Sequence, residues 1–346
     1  LTLQEWPAGI YLVPSTQLDP ITGVWTVEQG NAQLVKNKMT NVYTGILFSG
    51  DNSSISDNVI ESNNPMTVYG WYDPSLLTDR PSANNQIQGN VFSILVEPSS
   101  GLQKYPEKFW KYSALGLYQM NNATVSENTI QVKKLGCTNC ISYGLFTWSF
   151  NNGTIEKNIV KGINSPVNIY GSVGWTFTDN TVSNVVTNDG SSYSAFNTPG
   201  GGTVTNNVFS GNGTNGVGVF DSIEWSTACS DPGTFYSYNT IQGFGIGYDE
   251  LDSPTLWASQ GFCTLGTINQ TLFQANNLKK NTSAHIYNPN PPIDSFVGYN
   301  YYDSHPCVDL NPVDQVCDNP YQWDPQGYSF WSTPNQDNAP AKNPWP

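Results

Sequence analysis

The chain has 346 residues, 38% hydrophobic, 13% aromatic and only 12% charged, with 31 Gly and 23 Pro; disorder driven by high charge and low hydrophobicity is excluded, and no apolar run approaches the length of a membrane-spanning helix. Thirteen basic against 27 acidic side chains give a net charge of −14, which leaves no basic stripe for a nucleic acid and favours a neutral ligand, a cation or simple solubility. β-Branched, aromatic, Asn and Gly residues dominate over Ala, Leu, Glu and Lys, so short strands are expected rather than long helices.

Residues 1–30 carry no repeat and are expected to cap the open end of the elements that follow. They begin at Leu1 without a charged and then apolar leader, as in a mature secreted form. From residue 31 onward one pattern recurs, apolar–x–x–Asn–x–apolar. It reads Leu34…Asn37…Met39, Ile55…Asn58…Ile60, Ile87…Asn90…Phe92, Val125…Asn128…Ile130 and Ile155…Asn158…Val160. It continues as Phe177…Asn180…Val182, Val204…Asn207…Phe209, Tyr236…Asn239…Ile241, Phe273…Asn276…Leu278 and Val297…Asn300…Tyr302. The asparagines stand 21 to 38 residues apart, so the bare unit is about 22 residues and the longer intervals carry loops. Each unit predicts a short strand, a turn with Asn in the left-handed region, and a second short strand. Stacked asparagines would hydrogen-bond as a ladder.

A second pattern, apolar–x–apolar–aromatic, predicts a further strand before the next turn. It reads Met66-Thr-Val68-Tyr69, Leu115-Gly-Leu117-Tyr118, Tyr143-Gly-Leu145-Phe146, Val167-Asn-Ile169-Tyr170, Tyr193-Ser-Ala195-Phe196 and Val217-Gly-Val219-Phe220. Strand alternation sends the two apolar residues inward and the aromatic outward. The copy around Ile246 is out of step by a residue.

Over about residues 31–302 this repeat resembles the right-handed parallel β-helix of the pectin-lyase-like superfamily. The resemblance implies an all-β solenoid of about ten coils, in one domain overall with the cap at 1–30 and a Pro/Trp-rich tail at 303–346 packed on it. It implies a choice among hydrolase, lyase, epimerase, esterase and non-catalytic adhesin. No subfamily motif is matched: Tyr69-Gly70-Trp71-Tyr72-Asp73-Pro74 is similar to a mannuronan-epimerase motif but lacks its His.

Six cysteines and six Asn-x-Ser/Thr sequons, at Asn52, Asn122, Asn152, Asn212, Asn269 and Asn281, point to an oxidising, extracellular compartment. Cys137 and Cys140 lack the second ligand pair that zinc needs and are expected as a local disulfide. Cys229 and Cys263 fall in neighbouring insertions and are paired, leaving Cys307–Cys317 to staple the tail.

Insertions are expected at 70–84, 93–112, 131–142, 222–234 and 249–270, and long loops on a regular scaffold carry function. No nucleotide loop, nucleophile elbow or zinc-protease motif occurs, and the only histidines are His285 and His305. What remains is carboxylate geometry. Asp221, with Glu224 after it, follows one strand, and Asp249 and Glu250 follow the equivalent strand a coil later. Such acids lie within the range of glycosidase pairs. Asp221 and Asp249 lead as acid and base, with Glu224 and Glu250 in reserve. Trp225, Trp148, Tyr170, Phe196 and Trp257 are the expected sugar-stacking residues. The expectation is a secreted glycoside hydrolase acting on a polysaccharide or oligosaccharide without a cofactor. The alternatives are a polysaccharide lyase or epimerase of the same fold, and a non-catalytic glycan-binding or wall protein. Calcium is an alternative use of the acidic loops.

Overall fold

The computed structural model describes residues 8–12, 15–18, 25–28, 31–73, 78–96, 111–135, 141–183, 194–213, 216–221, 228–231, 233–250, 264–287, 295–310, 316–322, 336–337 and 339–346. Among them there is no helix, and none is therefore long and apolar enough to cross a membrane. The fold is an all-β parallel β-helix. It forms two compact units, Leu1–Pro166 and Val167–Pro346.

In the first unit each coil contributes strands to three parallel stacks. The strands before the ladder asparagines align Leu34, Ile55, Ile87, Val125 and Ile155. Those after them align Met39, Ile60, Phe92, Ile130 and Val160. The third stack aligns Ile46, Met66, Leu115 and Leu145. Nearly all of these side chains are buried and most are aliphatic. Strand Ala8–Leu12 extends the third stack by pairing with Thr44–Phe48, so the segment expected as a cap adds a further strand to the sheet.

The second unit repeats the scheme with larger residues. Its stacks align Phe177, Val204, Tyr236, Phe273 and Val297, then Val182, Phe209, Ile241, Leu278 and Tyr302. The third aligns Val167, Phe196, Val219, Tyr248 and Ile286. Trp175 is fully buried over Gly202, where any Cβ would overlap the indole.

The asparagine ladder forms in each unit. In the first, the backbone N–H and Nδ2 of Asn37, Asn58, Asn90 and Asn128 each donate to Oδ1 of the next ladder asparagine. Nδ2 also donates to the carbonyl one coil back, as from Asn128 to Ile87 at 2.8 Å. In the second unit the same bonds run from Asn180 through Asn207, Asn239 and Asn276 to Asn300. There the tail supplies the last rung. Asp337 accepts the N–H of Asn300 at 2.9 Å and of Tyr299 at 3.1 Å, and the Tyr302 hydroxyl at 3.2 Å. The amides of the second unit's ladder each donate to the next, which leaves the donors of Asn300 at its end, where a carboxylate is the complementary acceptor.

One expectation about the turn is corrected. The ladder asparagine is not the left-handed residue; its predecessor is. Lys36, Asp57, Gly89, Glu127 and Lys157 in the first unit, and Asp179, Asn206, Tyr238, Ala275 and Tyr299 in the second, have φ between 54° and 67°. Most of their N–H groups donate to a carbonyl of the following coil, as Asp57 does to Gln88 and Glu127 to Glu156, while that of Tyr299 donates to Asp337. This bond offsets the cost of about 1–2 kcal/mol for a non-glycine residue in that region. Asn holds the left-handed conformation at another turn of the first unit, at Asn52, Asn84, Asn122 and Asn152. Three of the sequons therefore begin at one repeated turn position.

The tail is tied down by the Cys307–Cys317 disulfide, with Cα atoms 5.2 Å apart, by the Lys342–Asp309 ion pair at 2.8 Å and by Trp345. The backbone of Trp345 exchanges hydrogen bonds with the Asn277 side chain. Cys137, Cys140 and Cys263, and the Cys229 side chain, lie outside the described residues.

Candidate functional site

Three of the four expected acids come together in the second unit, but not in the expected register. Strand Ile246–Asp249 pairs with Val217–Asp221 so that Tyr248 lies beside Val219 and Asp249 beside Phe220. Asp249 therefore sits in the outward column, and the residue that follows Asp221's position one coil on is Glu250. The shift suspected around Ile246 accounts for this: Tyr248, an amphipathic ring, takes the inward slot that the sequence pattern gives to an aliphatic residue. Adjacent coils are about 4.8 Å apart, so Asp221 and Glu250 occupy successive levels of one column.

These acids are enclosed, with Asp221 4%, Asp249 8% and Glu250 3% exposed. The Tyr248 hydroxyl donates to Glu250 Oε2 at 2.8 Å, and Thr271 Oγ1 lies 3.5 Å from Asp221 Oδ2. Burial first, and then the charge of Glu250 with Asp221 beyond it, push the Tyr248 hydroxyl well above its ordinary pKa. Burial and then Asp221 do the same to Tyr236, whose ring meets Tyr248 edge-on at 5.7 Å. Both phenols therefore stay protonated at ordinary pH, two neutral O–H groups beside two carboxyl groups in a low-dielectric interior. Such a cluster can hold a proton and direct hydrogen bonds. Sequence reasoning passed over these tyrosines because they fill apolar slots of the repeat; a hydroxyl-bearing ring in such a slot is the signal that was there to read.

The expected sugar platform is largely dismantled. Phe196 is a core residue with no exposure, stacked in register with Val167 and Val219 and packed against Phe177 at 5.0 Å and Phe209 at 5.8 Å. Its strand is offset by one residue from the apolar–x–apolar–aromatic pattern, and a ring that size is more stable filling the core than facing water. Tyr170 is half-buried, and its hydroxyl accepts from Asn197 Nδ2 at 2.7 Å. It lies two residues beyond the column of Phe220, which Asn168 and Asn197 occupy instead. Trp148 is 52% exposed but belongs to the first unit, beside Tyr118. Glu224, Trp225 and Trp257 lie outside the described residues.

His285 poses a nucleophile question that its hydrogen bonds answer. Nε2 is 2.8 Å from Ser304 Oγ and 3.2 Å from Asp303 Oδ1, so a Ser, a His and an Asp meet. The orientation is wrong for nucleophilic catalysis. Asn281 Oδ1 accepts the Phe244 N–H at 3.1 Å, which fixes its amide and makes Nδ2 the group facing His285 Nδ1 at 3.2 Å. Nδ1 is then an acceptor, the ring proton is on Nε2, and the histidine donates toward Ser304 and Asp303 instead of taking a serine proton. Burial lowers the His285 pKa, against the opposing effect of Asp303, which keeps the ring neutral.

The same bonds engage the sequon residue Asn281, which is half-buried and whose amide nitrogen faces the Ile241 carbonyl and His285. Asn52, Asn122, Asn152, Asn212 and Asn269 are exposed. Among the described residues no group of three or more His, Cys, Asp or Glu is placed to hold a metal ion. No family model matches the chain, and no curated protein matches it.

Proposed function

We propose that the protein is a secreted carbohydrate-active β-helix, related to the pectin-lyase-like superfamily, and that it hydrolyses glycosidic bonds with carboxylates of the second unit. The observation that carries this reading is the stacking of Asp221 and Glu250 on successive coils, at a backbone spacing of about 4.8 Å, close to the carboxyl separation of roughly 5–5.5 Å used by retaining glycosidases. The Tyr248 hydroxyl aimed at Glu250 suits a carboxylate that stays ionised and attacks the anomeric carbon. Asp221 then gives its proton to the leaving oxygen and later activates the water that releases the sugar. Asp249, on the outward side of the same strand end, is the remaining acid within reach. A polyuronate lyase or epimerase has less support, since the chain has a single arginine, Arg80, and no cation borders the cluster among the residues described. Secretion is supported by the Cys307–Cys317 disulfide.

Release of reducing ends from a panel of extracellular polysaccharides is the test. Asp221→Asn and Glu250→Gln should each cost about 10²–10⁴-fold in rate, with Asp249→Asn costing less. Full activity in both variants moves the site elsewhere. A second reading, a glycan-binding protein without catalysis, is favoured by the burial of all three carboxylates; it takes over if the wild type binds glycans and releases no reducing ends.

A further inference from the structure

We propose that the first unit carries a binding site of its own, for an uncharged oligosaccharide, independent of any hydrolysis in the second unit. On the outward face of the third stack, Gly116 lies beside Thr67, Thr67 beside Leu47 and Gly116 beside Phe146. Two small residues in the middle of that row leave a floor without bulk. One wall is Tyr69 stacked on Tyr118, with ring centres 5.0 Å apart and planes 18° from parallel. Phe146 closes on Tyr118 at 5.6 Å, and Tyr143 meets Phe146 edge-on at 5.5 Å. With Tyr43, these rings enclose a cleft of about 430 Å³, within the size range of small-molecule sites.

The polar groups of the cleft select the ligand. Its lining includes Thr44, Asn64, Thr67, Ser113 and tyrosine hydroxyls, and among the described residues no charged side chain. Ser113 Oγ is buried and makes no hydrogen bond among the described residues, and an orphaned buried hydroxyl costs stability until a partner reaches it. Asn64 Oδ1 is spent on the Ser113 N–H at 3.1 Å. Burial, with Tyr69 and Tyr143 nearby, raises the Tyr118 pKa, so its hydroxyl is a neutral donor at ordinary pH. Among the described residues that line the cleft, a uronate or a sulfated sugar would find no cation and an amine no carboxylate. Aromatic faces over an apolar floor, rimmed by hydroxyls and an amide, suit a ring that is apolar on its faces and polar at its edge, which is a neutral pyranose.

Calorimetric titration of the full chain with cellohexaose, laminarihexaose, mannohexaose and xylohexaose tests the site, with hexagalacturonate as the charged arm. At least one neutral hexasaccharide should bind, and the charged one should not bind more tightly. Tyr118→Ala should weaken binding about tenfold or more. Gly116→Val keeps every ring but fills the floor, since even a Cβ there lies 3.0 Å from Tyr118, and should weaken binding similarly; circular dichroism checks that both variants fold. Both losses should persist when each variant is made on the Glu250→Gln background, which separates this site from hydrolysis. The proposal is overturned if no neutral hexasaccharide binds, if hexagalacturonate binds more tightly, or if Tyr118→Ala and Gly116→Val bind like the wild type.

Discussion

The two units share one coil design and differ in how many large rings fill its inward columns. In the first unit the inward columns are mostly aliphatic, and the rings of Tyr69, Tyr118, Phe146 and Trp148 stand on the outer face. In the second, Phe177, Phe196, Phe209, Tyr236, Tyr248 and Phe273 turn inward and fill the core. Phe177, Phe209, Tyr236 and Phe273 simply hold the inward positions beside the ladder asparagine, whereas Phe196 and Tyr248 turn inward because their strands are offset by one residue, which exchanges the two faces of a strand. Rings turned outward wall an open cleft. Rings turned inward carry hydroxyls into the interior, and buried carboxyl groups accompany them.

The largest expected contrast pits Phe196 against Trp148. Phe196→Ala removes a ring from the packed interior and should cost about 3–5 kcal/mol in chemical denaturation, whereas Trp148→Ala, at an exposed position, should cost well under 1 kcal/mol. Equal effects would mean that the two faces are not distinguished as described. Next comes Asp337, the last rung of the second unit's ladder. Asp337→Ala strands the buried donors of Asn300 and Tyr302 and should cost about 2–4 kcal/mol. Burial raises the Asp337 pKa above its ordinary 3.8, against the lowering effect of its backbone donors. The folded state then holds this proton more tightly than the unfolded state, so the contribution is full below pH 3.8 and is lost as pH rises through the folded value. Asp337→Asn should keep an acceptor for Asn300 and flatten that part of the pH–stability curve.

The smallest effect concerns His285, which has no counterpart in the first unit because His285 and His305 are the chain's only histidines. Its pKa is lowered from 6.5 by burial, so the unfolded chain takes up the proton first. Stability should fall as pH drops below about 6.5 toward the folded value. His285→Gln should remove that slope in urea titrations between pH 7 and 5. An unchanged slope would point to another titrating group.

The periodic asparagine, flanked by apolar residues in every copy, determined the stacked strands, the two inward columns beside it and the ladder. Those features follow from spacing alone, since each coil repeats the same local demand. The sequence also paired Cys307 with Cys317 and brought Asp221 near the acids of the next coil. It misjudged which residue takes the left-handed turn, because the hydrogen bond that offsets the strain belongs to the neighbouring coil. It placed Phe196 outside and Asp249 opposite Asp221 because the third strand has no asparagine to mark its register. There the pairing of neighbouring strands, and the stability gained by burying the larger ring, decided which face each residue takes. The closure of the ladder by Asp337 was equally beyond local reading, since 37 residues of chain separate that carboxylate from the amide it accepts. Only tertiary folding could bring them together.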